Sequence, residues 1–484
     1  MPLPDVRFFG RKGPLRKRPP TPLGGEAVSV YSQSKGNVNP LSNRQTPSSS
    51  ELKKSITFLE AMAIVVGMII GSGIFLKPGI VLANAGSPWL SILAWVAGGI
   101  ITLASALSVA EIAAAIPRAG GLYAYLEELY GETVGFLLGW VQAVISYPAS
   151  VAALAIAFAS YSGYFLPMNG MQQKMLAVGI LLFILLMNVI STKYGGFIQL
   201  LATAGKLVPV VGIVAFGLLA GSQPGFAGVT GLSAGAAGFG AAILGTLWAY
   251  DGWIGVTNMA GEMKNPAKTL PKVILIGVSF VIVVYVLFNL AIFRALPFEQ
   301  IVSSPTPGAD AAEALLGGGG GAFITAGIIV SVLGALNGYL MTAARVPQAM
   351  GERGIAPFSG FLRQIHPRFG TPANALIFQT ALAAVYIFSG TFNTLTDLLV
   401  FVLWIFFTAG VFGVFILRRK VASAAGRYRV PLYPITPIVG IAGGLYILVS
   451  TLLDSPVRSL IGIGITLAGL PVFYLMKKRS GRAS

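Results

Sequence analysis

Two ionisable side chains lie well inside long apolar segments and are the first candidates for chemistry. Lys206 occurs in AGKLVPVV and Asp251 in LWAYDGWIG. A charge in hydrocarbon costs several kcal/mol unless it is compensated, so each side chain must meet a partner, face water or lose its charge. Lys206 could release a proton during a functional cycle, could occupy the position of a sodium ion, or could be held permanently by an ion pair or by carbonyl groups. Asp251 could contact a cationic group of a ligand or could cap its own helix.

Small residues interrupt two of these apolar segments. The segment VVGMIIGSGIFLKPG places Gly71, Ser72 and Gly73 together, and the second segment places Gly252 beside Asp251. We expect the helix to unwind at both positions. In hydrocarbon an unwound backbone is tolerated only where it is buried in protein or lines a cavity, so a bound solute could be its partner. The alternative is that the small residues only allow close helix packing.

The two interruptions offer the chemistry that a zwitterion requires. Free N–H groups at the start of a helix favour a carboxylate, and free carbonyl groups at the end of a helix favour an ammonium group. An α-amino acid carries both groups. We therefore predict a substrate site built from the residues at the two interruptions: Ile69, Ile70, Gly71, Ser72, Gly73, Trp248, Ala249, Tyr250, Asp251, Gly252 and Trp253.

Neighbouring aromatic and polar side chains allow a functional and a purely structural interpretation. Trp248, Tyr250 and Trp253 could wall a pocket, because small-molecule sites are usually apolar with few polar anchors, or they could simply pack. Ser331 and Asn337 lie in a later apolar segment. Together with Lys206 they are predicted to serve coupling or gating, although polar residues in such segments often only bridge helices. These alternatives remain open at the level of sequence.

Twelve apolar segments must position these residues. A helix that spans ~30 Å of hydrocarbon needs ~20 mostly apolar residues. The candidates cover approximately residues 57–83, 88–116, 133–166, 175–192, 197–220, 236–261, 272–296, 320–350, 371–389, 396–417, 431–453 and 457–476. The interruptions fall in the first and the sixth segments. This spacing predicts an all-α membrane fold with a 5+5 inverted repeat, broken helices 1 and 6, and two extra helices.

The position of the apolar segments divides the chain into a tail and a membrane domain. The first 54 residues are rich in Pro, Ser, Gly and basic side chains, and we expect a disordered cytosolic tail. The predicted transporter domain covers 55–480, with a first repeat over 55–221, a second repeat over 235–418, and helices 11 and 12 over 431–477.

Composition supports a membrane protein and indicates its orientation. Hydrophobic residues make up 55% of the chain and charged residues only 10%, too few to coat a soluble protein of 484 residues. The net charge of +17 comes from short Lys and Arg clusters between apolar stretches, which argues against a nucleic-acid surface. Most basic residues fall in alternate loops and both termini. Because cytoplasmic loops are enriched in Lys and Arg, we expect a multi-pass protein of the cell membrane with both termini in the cytoplasm.

Several functional classes lack the residues that they require. The chain has no cysteine and one histidine, so thiolate chemistry, a disulfide-linked partner subunit and a histidine-rich metal site are not expected. The apolar segments contain no paired acids and no visible nucleophile with a base, so we do not expect an enzyme, a metal or another cofactor. Repeated rings of charge, typical of channels, are also missing.

Four motifs carry a family resemblance over roughly residues 55–480. They are IIGSGIF at 69–75, AEIAAAIPRAGGLYAYLEELYG at 110–131, WAYDGWIGVTNMAGEMKNPAKTLPK at 248–272 and AARVPQAMGERGIAP at 343–357. The sequence resembles the amino acid-polyamine-organocation superfamily, in particular its L-type amino acid transporter branch with the bacterial serine/threonine exchangers. The resemblance implies twelve helices, the five-plus-five inverted fold, cytosolic termini and alternating access.

The resemblance also implies roles for individual residues. It assigns the substrate carboxylate to backbone N–H groups of Ser72 and Gly73, and the amino group to carbonyls of Ile69, Trp248 and Asp251. Lys206 looks like the fifth-helix lysine that sodium-independent members hold where relatives bind sodium. Eukaryotic relatives join a single-pass partner through a loop cysteine that this chain lacks.

The leading functional hypothesis is a sodium-independent exchanger of neutral L-amino acids, such as serine and threonine. A proton-coupled symporter is the nearest alternative. A polyamine or cationic amino acid carrier is a further alternative, motivated by Asp251. A nutrient sensor of the same fold, without transport, is the alternative from another class.

Overall fold

The structure is a computed structural model that describes residues 58–116, 121–190, 192–223, 235–254, 266–420, 428–479 and 481. All of these residues belong to one compact unit, Thr46–Ser484. The described residues form helices and short turns without strands, which confirms the all-α prediction. The tail predicted over 1–54 lies outside the described residues.

The first half of the chain contains nine helices in its described part. They are α1 (Phe58–Ile69), α2 (Gly73–Ala85), α3 (Pro88–Ala115), α4 (Gly121–Tyr130), α5 (Glu132–Val141), then a π turn (Gln142–Ser146), α6 (Tyr147–Ser162), α7 (Gly170–Ile190), α8 (Thr192–Ala220) and α9 (Gly235–Ala249).

The second half adds ten helices in its described part. They are α10 (Pro266–Ala295), α11 (Phe298–Ser303), α12 (Pro307–Ala343), α13 (Arg345–Glu352), α14 (Ser359–Leu362), α15 (Ala373–Ser389), α16 (Phe392–Lys420), α17 (Ile435–Asp454), α18 (Pro456–Leu467) and α19 (Gly469–Arg479).

The described helices include eight stretches that are long and apolar enough to cross a membrane: Pro88–Ala115, Glu132–Ser162, Gly170–Ile190, Lys268–Ala295, Pro307–Glu352, Phe392–Lys420, Ile435–Asp454 and Pro456–Arg479. Four shorter apolar helices accompany them: Gly73–Ala85, Lys206–Ala220, Gly238–Ala249 and Ala373–Ser389. The prediction of a polytopic helical membrane protein therefore agrees with the structure. Two of the short helices, α2 and α9, end or begin at the predicted interruptions.

The turn between α2 and α3 shows how local sequence sets a helix boundary. Gly86 ends α2 with a φ of 72°, and its N–H donates to the Leu82 carbonyl. This left-handed conformation favours glycine, which has no Cβ. The Ser87 hydroxyl then accepts from the Leu90 N–H at 3.3 Å, and Pro88 takes the first position of α3. Proline fits there because the first helical N–H needs no partner within the helix.

The π turn between α5 and α6 creates backbone acceptors that another helix uses. Pro148 has no N–H, so carbonyls of the preceding turn lose their usual donor. The Gln379 side chain donates to the Ala143 carbonyl at 2.9 Å, and the Tyr386 hydroxyl donates to the Val144 carbonyl at 3.1 Å. These bonds fix α15 against the irregular turn. In the rest of the described bundle, α2 packs on α9, α3 packs on α10, and α12 packs on both α6 and α8.

Candidate functional site

The first predicted interruption separates two described helices. Helix α1 ends at Ile69 and α2 begins at Gly73. The Ser72 carbonyl accepts from the N–H groups of Phe75 and Leu76 at 3.1 and 3.2 Å. Within the described residues, the N–H groups of Ser72 and Gly73 have no backbone partner. These two donors lie at the start of α2, where the first N–H groups of a helix have no acceptor within the helix.

The second interruption follows α9. The N–H of Asp251 donates to the Trp248 carbonyl at 3.2 Å, and the chain turns through residues 251–254. Gly252 has a φ of 108°, a conformation that other residues rarely adopt. Whether the helix resumes directly afterwards concerns residues 255–265, which lie outside the described part.

Two glycine contacts bring the interruptions together. A Cβ atom on Gly73 would lie 2.5 Å from the Ala249 Cα atom, and a Cβ atom on Gly252 would lie 2.7 Å from the Met68 carbonyl oxygen. Glycine is therefore required at both contacts by steric exclusion. The start of α2 touches the end of α9, and the turn after α9 touches the end of α1. Ile70 is buried in this region, whereas Gly71 is partly exposed.

Tyr285 of α10 joins both helix ends and was missed by the sequence analysis. Its hydroxyl lies 2.9 Å from the Ile69 carbonyl oxygen and 2.7 Å from the Ala249 carbonyl oxygen. A tyrosine hydroxyl carries one hydrogen, so it cannot fully satisfy two carbonyls at once. The carbonyl left over is an acceptor for a second donor. The only signal in the sequence was a tyrosine inside an apolar run, and packing tyrosines give the same signal.

Lys206 contacts the last turn of α1. Its ammonium group donates to the Gly67 carbonyl at 2.5 Å, and the side chain is 4% exposed. The sequence left several roles open for Lys206. In the structure its ammonium group is held by a backbone carbonyl group. The bond connects α8 to α1 just before the first interruption.

Asp251 contacts a phenol. Its Oδ2 atom accepts from the Tyr339 hydroxyl of α12 at 2.9 Å. Trp248 lies between Tyr339 and Phe392, with ring centroids 6.2 and 6.1 Å away. The Asp251 carboxylate is thus engaged with α12, and Trp248 forms part of an aromatic layer beside the interruption.

The other two predicted aromatic residues pack away from this layer. Tyr250 is fully buried, and its hydroxyl donates to the Trp95 carbonyl at 2.9 Å. Trp253 is 1% exposed and packs edge-on against Phe407 of α16, with centroids 5.1 Å apart. Both side chains therefore anchor the second interruption to neighbouring helices. Of the three predicted aromatic residues, Trp248 is the one that contacts Tyr339 and Phe392.

The two predicted polar residues of α12 lie apart from the interruptions in their described contacts. Asn337 accepts from the Asn188 side chain of α7 at 2.9 Å, so it bridges two helices. The Ser331 hydroxyl is buried and has no hydrogen-bond partner among the described residues. Their coupling or gating role stays a prediction.

The site is built mainly from backbone groups and phenols. In the described part of the chain, no three His, Asp or Glu side chains lie together as a metal site. What the arrangement can do chemically is to bind a small molecule that carries both an anionic and a cationic group, through two N–H donors and shared carbonyl acceptors.

Comparison with known proteins identifies the family. A family model described as amino acid permease matches residues 56–475. The chain belongs to the amino acid permease family. This match covers most of the sequence and confirms both the family resemblance and the prediction of an amino acid transporter.

Relatives of this permease include both bacterial and animal transporters. It is 45% identical over 429 residues to the serine/threonine exchanger SteT of Bacillus subtilis (strain 168), covering 88% of this chain and 98% of the relative. It is 32% identical to the b(0,+)-type amino acid transporter 1 of Mus musculus, covering 88% of each. It is 31% identical to the large neutral amino acids transporter small subunit 2 of Mus musculus, covering 88% and 81%.

Proposed function

We propose that this permease exchanges small neutral L-amino acids, with serine and threonine as first candidates, by alternating access and without sodium. The observation that carries the proposal is the contact of the two helix interruptions at Gly73 and Gly252. This contact gathers unpaired donors and acceptors at one place. The 45% identity to a serine/threonine exchanger supports the choice of substrate and of exchange.

The substrate carboxylate binds the N–H groups of Ser72 and Gly73. The substrate ammonium group binds the carbonyls of Ile69 and Ala249, which share the single hydrogen of the Tyr285 hydroxyl. An ammonium group carries three hydrogens and satisfies both carbonyls, so binding relieves the shortage. The carbonyl of Trp248 is a further acceptor, although it already accepts from Asp251.

Sodium independence follows from Lys206. Its ammonium group supplies a fixed positive charge beside the Gly67 carbonyl at the end of α1. A sodium ion at the same place would be repelled by this charge and would lose the carbonyl as a ligand. Replacing external sodium by a large organic cation is therefore expected to leave amino acid uptake unchanged.

The proposed topology has twelve spans, a 5+5 inverted repeat over 55–221 and 235–418, and helices 11 and 12 over 431–477. Both termini and the basic loops lie in the cytoplasm. The excess of Lys and Arg in alternate loops supports this orientation. The chain contains no cysteine, so a partner subunit cannot be attached through a disulfide.

Counterflow in proteoliposomes tests the function. Vesicles loaded with unlabelled serine are expected to accumulate labelled serine or threonine from outside without a sodium or pH gradient. Empty vesicles should accumulate little. Uptake that requires an inward proton gradient and ignores internal substrate would favour proton symport. Binding of serine in a thermal-shift assay without any flux would favour a sensor.

A further inference from the structure

A cavity outside the central site lies between α2, α6, α11 and the start of α16. Its volume is about 350 Å³. Its walls include Leu76, Ile156 and Phe392, and the exposed residues Gly170 and Thr391 form part of its rim. It therefore opens at the surface. We call it the outer cavity, because the proposed topology puts these residues at the extracellular end.

A single aromatic layer separates the outer cavity from the central site. Phe392 lines the cavity, is 8% exposed, and packs edge-on against Trp248 at 6.1 Å. Trp248 is followed directly by Ala249, the last residue of α9 and part of the second interruption. A solute in the outer cavity is thus kept from the interruptions by the Phe392 ring and the indole behind it.

Lys77 contacts the helix that carries this barrier. The side chain lies in α2, one helical turn after Gly73, and has no exposed surface. Its ammonium group donates to the Thr396 hydroxyl at 2.7 Å and to Asp397 Oδ1 at 3.0 Å, and lies 5.4 Å from the centroid of the Phe392 ring. All three partners belong to the first turns of α16. The ammonium group therefore fastens α2 to the helix that carries the barrier.

Thr396 connects the ion pair to the barrier through the backbone. The same hydroxyl that accepts from Lys77 shares its hydrogen between the Phe392 carbonyl at 2.9 Å and the Asn393 carbonyl at 3.0 Å. Lys77 thus contacts the Phe392 ring through its charge and the Phe392 backbone through Thr396. A fully buried ammonium group is costly unless it is paired, and packing alone would be served by an apolar residue of the same length. The position of the charge beside the barrier suggests a use beyond packing.

We infer that Lys77 is a positioning residue of the extracellular gate, and that its pair with Asp397 must open before an amino acid passes Phe392 from the outer cavity to the central site. This inference rests on the proposed function for the direction of passage. The Lys77 pair and the Phe392 barrier open together, because one ammonium group touches both.

The absence of natural cysteines allows a direct test with single engineered ones. Ser160 lines the outer cavity and is partly exposed, and Ala153 is fully buried two turns deeper on the same face of α6. Intact cells are treated with a small membrane-impermeant methanethiosulfonate. We expect Ser160→Cys to react from outside and Ala153→Cys to react slowly.

Opening the gate should expose the deeper cysteine. Asp397→Asn removes the charge but keeps the shape, and Lys77→Met removes the ammonium group. Either change is expected to raise the labelling rate of Ala153→Cys about tenfold and to leave that of Ser160→Cys within about twofold. Because the Asp397 side chain is 28% exposed, Asp397→Asn is the milder variant for folding.

Glu132→Gln is the matched control. It also turns an acid into an amide opposite a lysine, at the Lys477–Glu132 pair of 3.5 Å, where Glu132 is 58% exposed. It should not change the labelling of Ala153→Cys. Equal labelling of Ala153→Cys in the parent, Asp397→Asn and Lys77→Met would overturn the inference. So would labelling of Ser160→Cys only from the cytoplasmic side.

The gate and the proposed function fail in different ways. If serine exchange is present but the gate variants label like the parent, only the gate is wrong. If the variants expose Ala153→Cys but the parent protein exchanges no amino acid, the proposed function is wrong and the barrier remains. The gate variants should also lower the maximal exchange rate, since a carrier that stays open to one side cannot complete the cycle.

Discussion

At the scale of single residues, unpaired carbonyl groups at the helix ends explain which side chains gather there. Lys206 takes the Gly67 carbonyl, and Tyr285 reaches the carbonyls of Ile69 and Ala249. A carbonyl without a partner is costly away from water, so the helix ends need these donors. The number of donors is smaller than the number of acceptors. In the proposed function, a substrate ammonium group gains binding energy by supplying the missing donor.

Replacing Tyr285 with Phe tests this shortage. Without the hydroxyl, the carbonyls of Ile69 and Ala249 lose their donor in the empty protein, so the free energy of unfolding should fall by about 1–2 kcal/mol. Serine then gains more on binding, and its stabilising shift in a thermal-denaturation assay should increase relative to the parent. Tyr250→Phe is the matched control, since its hydroxyl bonds the Trp95 carbonyl. It should lower stability without increasing the serine shift, and equal shifts in both variants would contradict the role of Tyr285.

Replacing Lys206 with Ala tests the bond between α8 and α1. A hydrogen bond from a charged donor contributes about 1.5–3 kcal/mol, so the maximal exchange rate should fall at least about tenfold if this bond forms during closure. The half-saturation concentration should change less than about threefold, because Lys206 does not contact the substrate. Exchange rates over a range of serine concentrations give both quantities. Lys420→Ala is the control, since Lys420 also donates to a backbone carbonyl, that of Leu129 at 3.2 Å, but lies at the far end of α16. An unchanged maximal rate for Lys206→Ala would rule out the role.

At the scale of helices, glycine determines how closely the broken segments approach. Helix α2 lies against the end of α9 because Gly73 has no Cβ, and the turn after α9 lies against α1 because Gly252 has none. The π turn before α6 also depends on a neighbouring helix, because side-chain donors from that helix stabilise its irregular backbone. Gln379 and Tyr386 of α15 supply those donors. Irregular backbone in this bundle is thus matched by specific neighbours.

Substituting Gly73 with Ala tests the approach of α2 to α9. The added Cβ would lie 2.5 Å from the backbone of Ala249, so the helices must separate. Overpacking of this kind costs about 1–3 kcal/mol, and we expect serine affinity to fall about tenfold or more by equilibrium binding. Gly67→Ala is the control, because a Cβ there meets nothing within 4 Å. Retained affinity in Gly73→Ala would show that the contact is not needed for binding.

At the scale of the whole molecule, ion pairs connect helices at both ends of α16. Lys77 pairs with Asp397 near its start, and Arg418 near its end forms two bonds with Glu111, at 2.7 and 2.8 Å. At 1.5 Å of rise per residue these pairs are about 30 Å apart, roughly a membrane thickness. One helix is therefore fastened at both ends in this conformation. Alternating access would require at least one of these pairs to open in each half of the cycle.

The end that carries the basic loops has a second contact outside the membrane spans. Arg353, after α13, donates to the Glu127 carboxylate at 2.9 Å and to the Tyr123 hydroxyl, both in α4. Burial raises the pKa of Tyr123 to about 12, so this phenol stays neutral at physiological pH. The contact joins α4 to the segment that follows α13. It gives the basic end a second connection besides the Arg418 pair.

Cysteine labelling tests the orientation of the molecule. Gly360→Cys lies in the basic loop region, where a Cβ meets nothing within 4 Å, and Thr391→Cys lies at the rim of the outer cavity. In intact cells an impermeant thiol reagent should label Thr391→Cys and should label Gly360→Cys only after permeabilisation, since basic loops favour the cytoplasm. The unmodified chain is the control, because it has no cysteine. The reverse pattern would mean that the orientation is inverted.

The sequence by itself determined the class of this protein, its apolar segments and the position of both interruptions. These depend on local properties: a run of apolar residues needs lipid, and a cluster such as Gly71 to Gly73 weakens a helix wherever it occurs. The four motifs were specific enough to predict the family, which the match over residues 56–475 confirmed.

Only the tertiary structure decided which side chains reach the interruptions and which hold the outer barrier. Tyr285 is 216 residues from Ile69, and Lys77 is 320 residues from Asp397. No local pattern marks such pairs, because a tyrosine or a lysine beside an apolar run has the same sequence signal whether it packs, anchors or gates. Their partners are selected by how the helices meet in space. Contacts between residues so distant along the chain exist only once the bundle has formed.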